Sequence, residues 1–458
     1  MAYIGRDTDK ISNVEVLDNI TFDGSSSYTL QKGGSNFTPS SANTLLVSIN
    51  GVVQAGNFTV SGSTIDFGTA VAGTSTCDFI LHYGVGLITA PADGTVTTAK
   101  ISDSAITPAK LGYNYNQFRN IIINGDMSIA QRGTTGTLQN GTGGYLCIDR
   151  WNEIEGGSES FVFTVSQDSD VPTGQGFVKS LKFDCTTADA SLASDGALTF
   201  RQKIEGQNIQ YLKKGTSNAV STTLSFWVKS NKTGTYIIAL VDVDNSRSIS
   251  KSYTINTADT WEKKTITYPG DTSGAFDNDN GNSLQVEFYL GAGSNYTSGT
   301  LQTSWGSNVA ANQRVGQVNL ADSTSNYINF TGVQLEAGTT ASDFEFLPYD
   351  VNLQRCKRYC QKYIDPHLVG VNNDSNLPSR VGMTLSVDMR TTPSTSISGT
   401  FGFYDGSGTA NFTSVSTFFN NSNSIQMDFS GTGFSVSGKT NIQYLSSGSN
   451  YILIDSEL

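Results

Sequence analysis

The chain is short of charge, of histidine and of proline, and each shortage excludes something. Charged residues make up 15% of its 458 residues, two are His and nine are Pro; soluble domains average roughly 25% charged. Long surface helices draw on Glu, Lys, Ala and Leu, which are thin here, so a helical protein is excluded. His82 and His367 are the two histidines, which leaves a Ser-His-Asp triad almost without candidates. Basic charge is also lacking. Lys and Arg number 28 against 40 Asp and Glu, a net charge of -12, the wrong sign for displacing counterions from nucleic acid. No stretch of about 20 apolar residues is present to insert into a bilayer. The start, "MAYIGRDTDK", has no basic segment followed by an apolar run, so no secretory leader is expected. The five cysteines, Cys77, Cys147, Cys185, Cys356 and Cys360, are odd in number and lack a framework spacing, which predicts reduced thiols. The Gly-rich "NGTGGY" (140–145) lacks the Gly-Lys-Ser/Thr ending of a phosphate loop. In "DNDNGN" (277–282) the glycine falls one place early for an EF-hand and no Glu stands at the twelfth position. No cofactor and no metal are expected.

What is abundant is glycine, 47 residues, together with Ser, Thr, Asn and aromatics at 10%. β-Branched and aromatic residues recur in short alternating runs between turn residues, which predicts an all-β protein. A first β module is expected over residues 17–92, after an arm at 1–16. Its segment "TLLVSINGVVQAGNFTVSGSTIDFG" (44–68) sets Asn50-Gly51 between two strands, the chemistry of a two-residue hairpin. Residues 93–117 differ: "VTTAKI" (96–101) returns as "ITPAKL" (106–111). The lone apolar anchors Val96, Ile101, Ile106 and Leu111 cannot build a core within one chain, whereas several chains wound together can bury them. The other reading of this stretch is a flexible Ser/Thr linker.

Residues 118–349 carry strand candidates at 118–124, 160–166, 177–183, 223–230, 236–243, 262–268, 284–291 and 327–336, the count and spacing of a sandwich or jelly roll. In "TLSFWVKS" (223–230), Leu224, Phe226 and Val228 share one face and Ser225, Trp227 and Lys229 the other. A helix follows at 350–366, with Asp350 as N-cap and Asp365-Pro366 as its stop. Leu353, Cys356, Cys360 and Tyr363 stand three, four and three apart, the narrow seam of a coiled coil; a helix lying on its own sandwich is the alternative. Residues 367–458 return to short strands and are long enough for a small β domain.

The succession "NIIINGDMSIAQRG" (120–133), "DRW" (149–151), "LSFWVKSNKTGTY" (224–236), "GDTSGAF" (270–276), "SW" (304–305) and "FTGVQLEAGTTASDFEFLP" (330–348) resembles the jelly-roll, carbohydrate-binding-module-like domain of tailed-bacteriophage tail-fibre and receptor-binding proteins. "LQRCKRYCQKY" (353–363) is similar to the element that follows it there, with Cys360 where a second tyrosine is expected. "MRTTPS" (389–394) and "ILIDSEL" (452–458) are similar to distal modules of such proteins, and the start, through "INGVVQAGNFTVSGSTIDFG" (49–68), resembles their virion-side modules. The resemblance implies an elongated homotrimeric fibre: an N-terminal region docked on tail proteins, a threaded trimeric neck, a sandwich, a helical collar and a distal tip. Its partners would be two further copies of itself, tail proteins of the virion, and a host-surface glycan or outer-membrane receptor; its place would be the virion tail.

Sugar sites combine an exposed aromatic plane with carboxamide and carboxylate groups. Trp227 is a candidate on the outward face of its strand. In the C-terminal loops, Asn372, Asn373 and Asp374 of "GVNNDSN" and Tyr404 and Asp405 of "FYDGSG" are candidates because binding residues collect at such turns. Glycoside hydrolysis needs two facing carboxylates; Asp343 with Glu345 and Glu153 with Glu155 are the pairs that alternate on one face. Non-catalytic adhesion is the expected function. A tail adaptor that binds other virion proteins and a polysaccharide-degrading tailspike are the alternatives.

Overall fold

The computed structural model describes residues 14–83, 96–97, 101, 118–364, 366, 368–372, 379–398, 401–404, 409–432, 440–445 and 450–458, in parts of 369–445 by backbone alone. The chain divides into two units, residues 1–110 and 111–458.

In the first unit, strands Val14–Leu17, Cys77–Tyr83, Leu45–Ile49 and Val52–Gln54 lie side by side in that order, and Ser27–Thr29, Thr64–Asp66 and Thr59–Ser61 form a second small sheet. Leu17, Leu30, Val47, Ile65 and Ile80 close the core between them. The expected hairpin is present. Asn50 and Gly51 take φ of 50° and 76°, and Asp78 Oδ2 holds the turn by accepting the Gly51 amide at 2.6 Å and the Ser48 hydroxyl at 2.8 Å.

The second unit is built on two six-stranded antiparallel sheets packed face to face. One runs Thr135–Gln139, Val162–Asp168, Ser180–Thr187, Tyr327–Ala337, Thr222–Ser230, Glu262–Tyr268; the other runs Asn152–Gly156, Ala197–Glu205, Asn282–Ala292, Gly234–Asp242, Arg247–Ile255, Gly306–Ser307. Neighbours in space are rarely neighbours in sequence, as in Greek-key sandwiches. Alternation places Leu224, Phe226 and Val228 inward at 0% exposure. They meet an aromatic core in which Phe200 and Phe288 stack at 4.6 Å, with Phe330 4.7 Å and Trp151 5.5 Å from Phe200. Burying each of these side chains stabilises the fold by about 1.5–3 kcal/mol.

Three expectations are corrected. Residues 118–124 form no strand. Asn120, Asn124 and Gln202 replace the ladder with side-chain bonds: Asn124 accepts the Ile129 amide at 3.0 Å and donates to Ile129 O at 2.9 Å, and Gln202 accepts the Ile123 amide at 2.7 Å. The helix is short, Tyr349–Lys357, with Pro348 rather than Asp350 at its N-cap. A turn at Arg358–Tyr359 ends it, and Cys360–Ile364 is a strand paired with Tyr451–Asp455. The anchor for that turn is Glu205, which accepts Arg358 through two bonds of 2.8 and 2.7 Å and also the Tyr359 hydroxyl. The seam therefore dissolves: Leu353 and Cys356 lie on a helix, Cys360 and Tyr363 on a strand. Cys356 and Cys360, at 0% exposure, are covered by their own chain and are not free to meet symmetry mates. All five cysteines are free and buried.

After the helix, six strands close a barrel in the order Leu368–Asn372, Ser379–Thr384, Ser424–Thr432, Thr409–Asn420, Phe401–Tyr404, Thr440–Leu445. The chain end then returns to the sandwich. Asp455 accepts Arg132 at 2.7 Å, and Glu457 pairs with Arg132 at 3.3 Å and with Arg150. Among the described residues, no helix is long and apolar enough to cross a membrane.

Candidate aromatic cleft on the sandwich

Trp227 projects from the outward face of Thr222–Ser230, opposite Lys263 on one neighbouring strand and Thr331 on the other. Between Ser225 and Trp227 the pairing with Tyr327–Ala337 slips, and the slip is a bulge centred on Gly332, whose φ is +62°. A Cβ at Gly332 would stand 2.5 Å from Phe177 Cζ, so only glycine lets the Phe177 ring lie down on the sheet. Phe344 and Phe346 complete a triad, with ring centroids 5.1 and 5.0 Å from Phe177 and 4.9 Å from each other. Gly176, at φ +84°, leaves room for the edge of Phe346. These rings and Trp227 enclose an open cleft of about 360 Å³, also lined by Gly174, Gln175, Ser225, Lys263 and Asp343. Phe346 is 50% exposed.

The cleft pairs apolar planes with one carboxamide, one hydroxyl, one cation and one carboxylate. Such a set grips the C–H faces and the hydroxyls of a sugar ring. Sequence alternation located Trp227. The phenylalanines come from residues 177, 344 and 346, and their meeting depends on the bulge at Gly332, which no local pattern announces.

The other candidates fall elsewhere. Asn372 and Tyr404 lie on barrel strands, while Asn373, Asp374 and Asp405 lie outside the described residues. Val96 and Ile101 are 53% and 36% exposed; Ile106 and Leu111 lie outside the described residues, as does His367. His82 is buried, with Nδ1 3.4 Å from Glu15. The carboxylate pairs are split. Asp343 faces the cleft, whereas Glu345 turns away to accept the Asn120 amide at 2.9 Å. Glu153 is at 0% exposure and burial pushes its carboxyl up to about 8, while Glu155 is partly exposed. In the "DNDNGN" segment Asp279 accepts the Gly281 amide at 2.8 Å, and Asn282 already opens the strand that follows. Trp151 lies in the core and Trp305 packs against it.

No family model matches the chain, and no curated protein matches it. Among solved structures, the chain is similar to the enzymatically active domain of tailspike protein 4 of bacteriophage CBA120, at 15% identity over 48% of this chain and 21% of that one, with a TM-score of 0.27. It thus spans about a fifth of the tailspike structure. It is also similar to a family 4 carbohydrate-binding module, at 13% identity over 47% of this chain and 97% of that one, TM-score 0.24. A third neighbour is the family 11 carbohydrate-binding module of Clostridium thermocellum in complex with a β-1,3-1,4-mixed-linked tetrasaccharide, at 13% identity over 46% of this chain and 99% of that one, TM-score 0.23. At these scores the assignment of a two-sheet β-sandwich rests on the strand order above.

Proposed function

We propose that the chain is a sugar-binding adhesion protein of a phage virion, a homotrimeric tail fibre that holds a host-surface glycan and does no chemistry on it. The observation that carries the sugar reading is the cleft itself: Trp227 beside three phenylalanines on the outward face of a sandwich, with Gln175, Ser225, Lys263 and Asp343 in the same lining. Asp343 is the one carboxylate among the cleft's described lining residues, and glycoside hydrolysis calls for two. The virion reading is supported by the motif succession of residues 120–348. Assembly with other chains is supported by the first unit, whose outward sheet face leaves Val14 48%, Val16 65%, Val53 44% and Tyr83 43% exposed. Apolar area of that kind is what a protein contact covers. Several copies per particle turn weak single sites into firm attachment.

The test is a glycan-array screen of the full chain followed by calorimetry on the best ligand. Trp227→Ala is expected to lower affinity about fivefold or more, by analogy with the roughly 1–3 kcal/mol that ring stacking contributes to other ligands. Equal affinity in the variant would remove the cleft from the account. Release of reducing ends from the bound glycan would favour the tailspike reading.

A further inference from the structure

A second open cavity lies elsewhere in the second unit. It measures about 510 Å³ and lies between residues 118–123, the end of strand Ala197–Glu205 with the turns that follow it, and the helix Tyr349–Lys357 with its C-terminal turn. In a chain of net charge -12, its walls carry four cations, Arg150, Lys203, Arg355 and Arg358, against one carboxylate, Glu205. Most of this charge is already satisfied. Arg358 takes Glu205 through two bonds, and Glu205 also accepts the Tyr359 hydroxyl and the Gln207 amide. Arg150 pairs with Glu457 and lies 3.5 Å over the Tyr359 ring. Lys203 donates to Leu458 O.

Arg355 is the exception. Its guanidinium makes one long bond, 3.4 Å from Nη2 to Asn120 O, and among the described residues no carboxylate lies within ion-pair distance of it. Burial holds its pKa below the usual arginine value. A half-buried guanidinium without an anion is costly to a fold, and five N–H donors in a planar fork match a carboxylate or phosphate edge. Two large exposed rings line the same cavity, Phe118 at 57% and Tyr211 at 49% exposure, together with the exposed carboxamides of Gln207 and Asn208. Bare anion sites have no use for exposed rings, whereas a sugar does.

We propose that this cavity is a second saccharide site, specific for an acidic sugar: the carboxylate of a uronic-acid residue takes the open fork of Arg355, its ring lies against Tyr211 and Phe118, and its hydroxyls meet Gln207 and Asn208. The site is separate from the Trp227 cleft and stands or falls without it.

The experiment is a calorimetric titration of the full chain with a glucuronate or galacturonate oligosaccharide, the matching neutral oligosaccharide, and inorganic phosphate. The acidic oligosaccharide is expected to bind at least about tenfold more tightly than the neutral one. Arg355→Gln should abolish that preference, Tyr211→Ala should weaken the acidic sugar while leaving any phosphate binding unchanged, and Trp227→Ala should have no effect on it. Arg355→Gln removes a charge without a partner, so its melting temperature should hold or rise; if it falls, the exposed Tyr211→Ala variant carries the test. Equal binding of acidic and neutral sugars, an unchanged preference in a folded Arg355→Gln, or phosphate binding as tight as the uronate would each overturn the proposal.

Discussion

Glu153 sits at 0% exposure in strand Asn152–Gly156, where Oε2 accepts the Leu146 amide at 3.1 Å and Oε1 has no hydrogen-bond partner. Burial pushes its carboxyl from the usual 4.5 up to about 8, so at neutral pH the folded chain holds a proton that the unfolded chain has released. Below pH 4.5 both states are protonated and the stabilisation is complete. Between 4.5 and 8 stability falls by up to about 1.4 kcal/mol per pH unit, and beyond 8 the loss levels off near 5 kcal/mol. Glu153→Gln is neutral at every pH and keeps an oxygen for the Leu146 amide. It should match the parent near pH 5 and exceed it by about 3.5 kcal/mol at pH 8. Denaturant midpoints of both proteins at pH 5, 6.5 and 8 measure the difference directly. Asp149, pushed up to about 6 by burial, titrates in both proteins and cancels. A constant difference across the three pH values would refute the assignment of a buried, protonated Glu153.

Other outcomes follow from the same contacts. Gly332→Ala forces a Cβ into the Phe177 ring at positive φ and should cost about 1–3 kcal/mol, with a matching loss of sugar affinity because Phe177 floors the cleft; a melt and a titration of one sample check both. Glu457→Gln leaves Arg150, 1% exposed, without its carboxylate and should destabilise the second unit by about 3–5 kcal/mol, read as a lowered denaturant midpoint. Val16→Asp, on the open sheet face of the first unit, should lower the mass seen in light scattering if that face joins copies, and leave the melt of the second unit unchanged.

Strand positions were legible wherever one face is buried, because a period of two records burial directly. "EKKTITY" forms a strand over Glu262–Tyr268, the span its alternation marks, and Trp227 points as its alternation requires. Helical spacing misled at Cys360 and Tyr363 because three-four-three intervals fit a few residues of turn and strand equally well, and Glu205, far away in sequence, decides where the helix stops. The irregular segment 118–124 was illegible for a related reason: its Ile run satisfies an apolar pattern, while its own carboxamides and that of the distant Gln202 replace the ladder. Both cavities gather residues separated by more than a hundred positions, so composition could suggest their chemistry but not their assembly.

The sugar-binding claim has a direct reporter. Three of the four indole N–H groups are held: Trp151 on Asn124 O at 3.1 Å, Trp261 on Asp170 at 3.0 Å and Trp305 on Pro269 O at 2.8 Å. Trp227 has no such partner among the described residues. In a ¹⁵N-labelled sample titrated with the ligand found by array, the Trp227 indole signal, assigned through Trp227→Phe, is predicted to shift in saturable fashion while that of Trp151 stays fixed. Saturable binding with the Trp227 signal unmoved would contradict the account.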